Sequence, residues 1–226
     1  MRFHRALEKD HFLAAGVVVR GIEIRPSGPA LEARADELLA DLAAGRAGGG
    51  EPTRAAVRDL LRNGRYRPSG RSKPAQEYLD RVFREQGRID LINNAVDVNN
   101  IVSLRHGLPI SAFDVDKVQG DLVIRLGRAG ERYVFNASGQ DLDCEDLVVV
   151  CDDRGPIGSP VKDSQATKLF EGATSAVYVV YASDVVTSTD ALLAVAAELG
   201  RLLVEDCPAA TAEPPAIFER SSSSRG

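Results

Sequence analysis

The chain has 226 residues, of which 44% are hydrophobic and 27% charged. This composition is typical of a globular protein with one substantial core, and the lack of any apolar run of about eighteen residues excludes a transmembrane helix. A net charge of −5 disfavours a general nucleic-acid binder. Because the first ten residues are too charged for a signal peptide, we expect a cytoplasmic protein.

The cysteines and histidines do not indicate a metal site. Cys144, Cys151 and Cys207 are odd in number and have no metal-binding spacing, and the chain contains only three histidines. We therefore interpret the cysteines as small buried residues in a reducing compartment, and we expect neither a metal nor a cofactor. The sequence also contains no Lys-Ser/Thr phosphate loop and no nucleophile elbow.

The first 50 residues predict one strand and one helix. The β-branched run Val17–Val19 indicates a strand over residues 13–24. A helix follows, because one face carries Leu31, Ala35, Leu38, Leu39 and Leu42. The glycine-rich stretch 45–50 ends that helix, and we interpret residues 1–50 as an extension packed against the core.

Three more helices are predicted before residue 107. Thr53 can cap the first of them, and the second starts near Pro74. The buried face of the second is predicted to be Tyr78, Leu79, Val82 and Phe83. The third covers residues 91–106.

A basic stretch overlaps these helices. It contains seven basic residues and a single acid, Asp59, which gives a local charge of about +6. The basic residues are Arg54, Arg58, Arg62, Arg65, Arg67, Arg71 and Lys73. The first three repeat every four residues and share one helix face. That face is either a contact for phosphates or a solvated helix surface, and the spacing leaves both open.

The second half of the chain has the pattern of a sheet. The predicted strands are Asp121–Leu126, Arg132–Phe135, Leu147–Cys151 and Ala176–Ala182. A closing helix over residues 190–205 and a disordered tail over residues 207–226 follow. The fold class is therefore α+β: an N-terminal strand and helices, then a mostly antiparallel sheet with a C-terminal helix.

Two polar segments are candidates for chemistry. The segment Asn93–Asn100 is rich in side-chain amides, and a helix would place Asn93, Asp97 and Asn100 on one face. The segment Gly158–Lys168 is too polar for a core. Each is either a ligand site or a local structural feature, and spacing alone does not distinguish these interpretations.

Four segments in conserved order carry a resemblance to a known family. They are Arg65–Ser69 with Tyr78–Val82, Ile92–Asn100 with Ser103–Pro109, Ala112–Val118, and Gly158–Lys168. Between Val57 and Val185 the chain resembles the B3/4 domain of the phenylalanyl-tRNA synthetase β-chain and its stand-alone relatives. The resemblance implies a B3/4-like domain over residues 51–206.

In the synthetase this domain hydrolyses tyrosine wrongly esterified to the phenylalanine tRNA. The resemblance therefore implies an aminoacyl-tRNA deacylase that acts in trans and needs no cofactor. Its partners would be aminoacylated tRNA and possibly a synthetase, but neither a membrane nor DNA. The basic stretch 54–73 would contact tRNA phosphates.

The same resemblance implies site residues. Asn99, Asn100 and Asp163 would carry catalysis, while the substrate would be bound by Asp97, Ser111, Lys162, Ser164 and Tyr178. Three positions depart from the synthetase pattern: Asn99 replaces a threonine, Ser111 a histidine, and Tyr178 the glutamate that reads the tyrosine hydroxyl. These departures keep a second interpretation open, in which the chain is a non-catalytic RNA- or amino-acid-binding module.

Overall fold

The computed structural model describes residues 1–220, which contain five α-helices. The helices are α1 Pro29–Ala43, α2 Gly50–Leu60, α3 Ala75–Gln86, α4 Asn94–His106 and α5 Thr189–Asp206. None of the helices described is both long enough and apolar enough to cross a membrane.

Twelve strands accompany these helices within residues 1–220. They are β1 Phe3–Arg5, β2 Phe12–Arg20, β3 Ile110–Asp114, β4 Leu122–Leu126, β5 Arg132–Val134, β6 Asp141–Asp143, β7 Val148–Asp152, β8 Gly155–Gly158, β9 Ser175–Ser183, β10 Thr211–Ala212, β11 Ala216–Ile217 and β12 Glu219–Arg220. The α+β class is confirmed.

The strands form two larger sheets and a hairpin. The central sheet has the order β10–β2–β9–β3, with β11 also paired to β2. The outer sheet has the order β12–β1–β4–β7–β8, and β5 pairs with β6 separately. Among the described strands, the only parallel pairs are those of β1 with β4 and β12, so the predicted, mostly antiparallel character is also confirmed.

Strand β9 shows how the core is divided. All nine of its residues are buried, and successive side chains point to opposite faces. Tyr178 and Val180 face the helices, whereas Val179 and Tyr181 face the outer sheet. The molecule therefore has three layers: helices, central sheet and outer sheet.

The N-terminal residues are part of this core. Strand β2 pairs with β9 over its whole length, from Phe12 to Arg20. Because β10 and β11 pair with its other side, β2 is an inner strand. Residues 12–20 thus supply an inner strand of the central sheet, whereas residues 3–5 belong to the outer sheet.

The prediction of a disordered tail is wrong for residues 207–220. Strands β10 and β11 pair with β2, and β12 pairs with β1. Phe218 is buried and stacks on Phe3, with ring centroids 4.9 Å apart. These pairings satisfy backbone groups that would otherwise be unpaired at the edge of β2. Residues 221–226 lie outside the described part of the chain.

Two helix starts differ from the prediction. Helix α2 begins at Gly50, because Gly49 adopts a left-handed conformation (φ 66°) and sits against the His106 carbonyl. Thr53 is therefore inside the helix and does not cap it. Helix α4 begins at Asn94, since the Asn93 side chain accepts a hydrogen bond from the Val96 N–H at 3.0 Å.

Candidate functional site

The site lies along the outer edge of β3, the edge strand of the central sheet. A tight turn, residues 158–163, runs beside this edge, and Asp163 Oδ2 accepts a hydrogen bond from the Ala112 N–H at 3.1 Å. The Ala75 N–H donates to the Pro160 carbonyl at 2.9 Å, which brings the start of α3 against the turn. We call this region, formed by β3, the 158–163 turn and the start of α3, the β3-edge site.

Asp163 has the chemistry expected of a functional carboxyl group. Its Oδ1 atom is buried and has no hydrogen-bond partner among the described residues. Burial raises the pKa of Asp163 to about 7, although the nearby Ser111 hydroxyl and the hydrogen bond from the Ala112 N–H oppose the shift. A Cβ at Gly158 would lie only 2.5 Å from Oδ1, so glycine leaves the room that the carboxyl group occupies. Asp163 can therefore bind a cation or exchange a proton near neutral pH.

A buried polar network supports Asp163. The Ser111 hydroxyl lies 2.9 Å from the Tyr181 hydroxyl and 3.2 Å from the Ser159 carbonyl. The Tyr133 hydroxyl donates to Ser159 Oγ at 3.0 Å. Ser111 is thus buried with its hydroxyl satisfied, and it braces the turn rather than lining open space. Tyr133 and Tyr181 were not predicted, because nothing in their spacing indicates that they meet between the sheets.

Lysines flank the carboxyl group. The Lys162 ammonium lies 3.6 Å from the centre of the Phe135 ring, and burial, followed by the charge of Arg71, lowers its pKa. Lys168 donates to the Phe135 carbonyl at 2.6 Å, and burial lowers its pKa as well. Ser164, by contrast, accepts from the Ala166 N–H and so caps a short turn.

The polar side chains of α4 differ in whether their hydrogen-bonding atoms have partners. Asn99 Oδ1 is buried without a partner among the described residues, while its Nδ2 lies 3.4 Å from Asn100 Oδ1. Asp97 instead accepts from the Ser27 hydroxyl at 2.6 Å and from the Ile92 N–H at 2.8 Å. Burial raises the pKa of Asp97. Asp97 therefore ties chain segments together, whereas Asn99 keeps a hydrogen-bonding atom available.

Tyr178 does not join the Asp163 group. Its side chain is on the helix side of the central sheet, where its hydroxyl donates to the Ala95 carbonyl at 2.9 Å. Ser111 lies on the other face, against Tyr181. The structure thus brings Ser111, Lys162 and Asp163 together but places Asp97 and Tyr178 elsewhere, with their polar atoms satisfied.

Helix α3 follows the predicted burial only in part: Leu79, Val82 and Phe83 are half-buried, and Leu79 packs against the core. Tyr78, expected inside, is 59% exposed. Gln76 is only 4% exposed, and both polar atoms of its amide lack a partner within the described chain. The reason is that α3 packs on α4 beside the 158–163 turn, which covers its first turn.

The basic stretch is only partly available to a ligand. Four of its members form ion pairs with carboxylates: Arg54 with Glu51 and Asp80, Arg58 with Glu77, Arg62 with Asp59, and Arg65 with Asp143 and Glu145. Arg67, Arg71 and Lys73 are exposed, and no carboxylate in residues 1–220 lies within 4.0 Å of them. These three cations, which we call the open cations, precede α3 next to the β3-edge site.

Other ionisable groups have structural partners. His106 Nε2 lies 2.7 Å from Glu198, which joins the end of α4 to α5. Across residues 1–220, no three His, Cys, Asp or Glu side chains are arranged to hold a metal ion.

Comparison with known proteins identifies the family. The B3/4 domain matches residues 67–195. The phenylalanine–tRNA ligase beta subunit of Streptococcus pneumoniae is 37% identical over 106 residues, which is 46% of this chain and 13% of that protein. The same subunit of Aquifex aeolicus is 40% identical over 95 residues, 38% of this chain and 12% of that protein.

The chain thus aligns with about an eighth of the length of these relatives. A crystal structure of an N-terminal fragment of the Pyrococcus horikoshii phenylalanyl-tRNA synthetase beta-subunit aligns with a TM-score of 0.45 at 12% identity. That alignment covers 52% of this chain and 40% of the fragment. Because the family match spans more than half of the sequence, the chain belongs to the B3/4 domain family.

Proposed function

We propose that this protein binds aminoacyl-tRNA and hydrolyses the ester bond of misacylated tRNA in trans, in the cytoplasm. The observation that carries the proposal is Asp163, a buried carboxyl group with one unpaired oxygen and a pKa raised to about 7 by burial. Family membership and the names of the relatives, which are subunits of a tRNA ligase, support the choice of substrate. Three buried cysteine thiols suit a reducing compartment.

The proposed reaction needs a positioned ester and a positioned water. Asp163 would hold the α-ammonium group of the aminoacyl moiety, and the Asn100 amide would donate to the ester carbonyl. Attack by water forms the new carbon–oxygen bond, and the bond to the ribose oxygen breaks. That oxygen leaves with a proton from the water, giving a free amino acid and an intact tRNA. Orientation and oxyanion stabilisation account for such catalysis without a protein nucleophile.

The first test is hydrolysis of a panel of misacylated tRNAs, each with a labelled amino acid. We expect selective release of one or a few amino acids. Asn100→Ala should lower kcat roughly 100- to 1,000-fold, the usual cost of removing one oxyanion donor, while tRNA affinity stays unchanged. Asn136→Ala, between β5 and β6, is a matched control and should hydrolyse at the wild-type rate.

A second candidate is a binding module without catalysis. It is favoured by Ser111 and Tyr178, because these two positions depart from the synthetase pattern and both hydroxyls are already hydrogen-bonded inside the protein. Under this alternative, no tRNA of the panel would lose its amino acid, although uncharged tRNA would bind. Asp163→Ala would then weaken amino-acid or RNA binding and change no rate.

A further inference from the structure

The buried hydroxyl of Tyr181 has a single hydrogen-bond partner. Tyr181 lies on β9 and faces the outer sheet. Among residues 1–220, its hydroxyl meets only Ser111 Oγ, at 2.9 Å. Ser111 Oγ in turn lies 3.2 Å from the Ser159 carbonyl, which accepts no other hydrogen bond in the described chain. These three groups form a short series of contacts that runs from the central sheet to the 158–163 turn.

The chemistry of the three groups decides which of them donates. A carbonyl oxygen only accepts, and a serine hydroxyl has one proton. If Ser111 donated to Tyr181, the Ser159 carbonyl would lose its donor and the Tyr181 proton would have no acceptor. Leaving two buried polar groups unpaired is unfavourable. Burial also raises the pKa of Tyr181, so this hydroxyl keeps its proton. Tyr181 therefore donates to Ser111, and the Ser111 proton points toward the turn.

Asp163 is close to that proton. Its Oδ2 atom accepts a hydrogen bond from the N–H of Ala112, the residue next to Ser111, and the Ser111 hydroxyl favours its charged form. A hydroxyl that itself accepts a hydrogen bond is a stronger donor, and a donor stabilises a carboxylate. We propose that Tyr181 is a positioning residue of the β3-edge site: by donating to Ser111, it holds the Ser111 proton toward the turn and stabilises the charged form of Asp163.

The other titratable groups around Asp163 are Lys168, Tyr133 and the neighbouring residue Lys162. The charge of Lys168 favours the carboxylate. Tyr133, which reaches the turn from β5, donates to the Lys162 carbonyl at 2.5 Å. None of these three groups is hydrogen-bonded to the Tyr181 hydroxyl, so a change at Tyr181 leaves their own contacts in place. The effect of Tyr181 on Asp163 can therefore be measured separately.

Tyr181→Phe removes the first donor and no other heavy atom. We expect the pKa of Asp163 to rise by about 0.5 to 1 above the wild-type value, because the charged form loses part of its stabilisation. A pH titration of the carboxyl ¹³C resonance, identified by its loss in Asp163→Asn, measures this pKa. Ser111→Ala should raise the pKa at least as much. Adding Tyr181→Phe to Ser111→Ala should change it no further, because Tyr181 acts through Ser111.

Tyr178→Phe is the matched control. Tyr178 is also a buried tyrosine of β9 with one hydrogen bond, but its hydroxyl donates to the Ala95 carbonyl on the opposite face of the sheet. The two phenylalanine variants should lose similar stability, whereas only Tyr181→Phe should change the pKa of Asp163. An unchanged pKa in Tyr181→Phe, an equal rise in Tyr178→Phe, or effects that add to those of Ser111→Ala would overturn the proposal. If Tyr181→Phe does not fold, the Ser111→Ala titration decides in the same way.

The inference rests on the proposed function for its consequence in catalysis. Binding of an α-ammonium group requires the charged form of Asp163. The acidic limb of the kcat/KM profile for hydrolysis should therefore move to higher pH in Tyr181→Phe, by the same amount as the pKa. The titration needs no substrate, so a raised pKa in a protein that hydrolyses nothing would overturn the proposed function and support the inference. An unchanged pKa in an active deacylase would overturn the inference alone.

Discussion

The carboxyl group of Asp163 couples protein stability to pH. Burial raises its pKa from 3.8 to about 7. Between these values the unfolded chain releases a proton that the folded chain keeps, so the stability of the folded state decreases as pH rises. The loss is absent below the unfolded pKa and complete above the folded pKa. Asp163→Asn, which removes the titration, should therefore gain stability over the wild type as pH rises, by roughly 2–4 kcal/mol in total.

Urea unfolding of both proteins at pH 5 and pH 8 measures this effect. The difference in free energy of unfolding should be larger at pH 8 and should not change further at pH 9. Asp141→Asn, on the exposed strand β6, serves as control and should show the same difference at each pH. If the stability difference between Asp163→Asn and the wild type is also the same at each pH, the folded protein does not hold the Asp163 carboxyl group in its protonated form.

Gly158 tests the packing around the same carboxyl group. A Cβ at this position would lie 2.5 Å from both Asp163 Oδ1 and the Phe113 ring. We expect Gly158→Ala to lower stability by about 1–3 kcal/mol through overpacking and to abolish hydrolysis. In a Phe113→Leu background, Gly158→Ala should lower stability by less than it does in the wild type, because the smaller side chain leaves room for the added Cβ. A Gly158→Ala protein with wild-type stability and rate would contradict this account of the site.

At the scale of elements, a largely buried ion pair joins α2 to α3. Arg58 contacts Glu77 through two hydrogen bonds of 2.7 and 2.5 Å, and the Glu77 side chain is only 8% exposed. A double-mutant cycle with alanine should give a coupling energy of about 1–3 kcal/mol. The exposed pair Arg62–Asp59 should give roughly 0–0.5 kcal/mol. Equal coupling in the two cycles would show that burial does not strengthen the first pair.

The open cations provide a second test at this scale. Arg67, Arg71 and Lys73 have no carboxylate partner in residues 1–220, so we expect them to bind phosphates. Replacing all three with alanine should reduce the slope of log affinity for tRNA against log salt by about 2, since each phosphate contact contributes roughly 0.7 to 0.9. Fluorescence anisotropy at about 50 to 300 mM KCl measures the slope.

The ion-paired arginines supply the comparison. Replacing Arg54, Arg58 and Arg62 should lower stability and alter the slope less, because their charges are already balanced by carboxylates. If this variant loses the larger part of the slope, the phosphate contacts are on α2, which is one of the two interpretations that the four-residue repeat left open.

Sequence patterns predicted features that lie within one helix or strand, and they did not predict contacts between segments far apart in the chain. Local periodicity predicted all five helices but only five of the twelve described strands, because burial repeats visibly only within an element of sufficient length. It did not predict that Arg65 pairs with Asp143, or that Gln76 rather than Tyr78 is buried, because both depend on segments remote in sequence. Ser111 and Asp163 were expected at one site from the family resemblance and not from periodicity, because they lie on a strand and a turn that share no local pattern. The structure places the two close together, and their roles in binding or catalysis stay predictions.

At the scale of the whole molecule, both ends of the described chain hold the layers together. Strand β1 is in the outer sheet and β2 is in the central one. The segment 207–220 follows the same division, because β10 and β11 pair with β2 while β12 pairs with β1. Strands of two residues have too little pattern to be predicted, which is why this segment was mistaken for a tail.

Phe218 is the main apolar anchor of that segment, and its loss should weaken the whole fold. The side chain is 2% exposed and stacks on Phe3, which itself sits against Gly16 of β2. Phe218→Ala should lower the free energy of unfolding by about 3–5 kcal/mol, the usual cost of a cavity of this size. Phe170→Ala, at a position 46% exposed, is the matched control and should cost roughly 0.5 kcal/mol or less.

Thermal and urea unfolding of the two variants measure the difference. If the segment 207–220 closes both sheets, Phe218→Ala should unfold in one transition at a lower temperature, because the two sheets share a core. Removal of residues 207–226 should then destabilise the protein further, since β2 would lose its pairing with β10 and β11. If residues 1–206 alone are as stable as residues 1–226, the pairing of the segment 207–220 with β1 and β2 does not stabilise the protein. Residues 1–206 would then be sufficient for the fold.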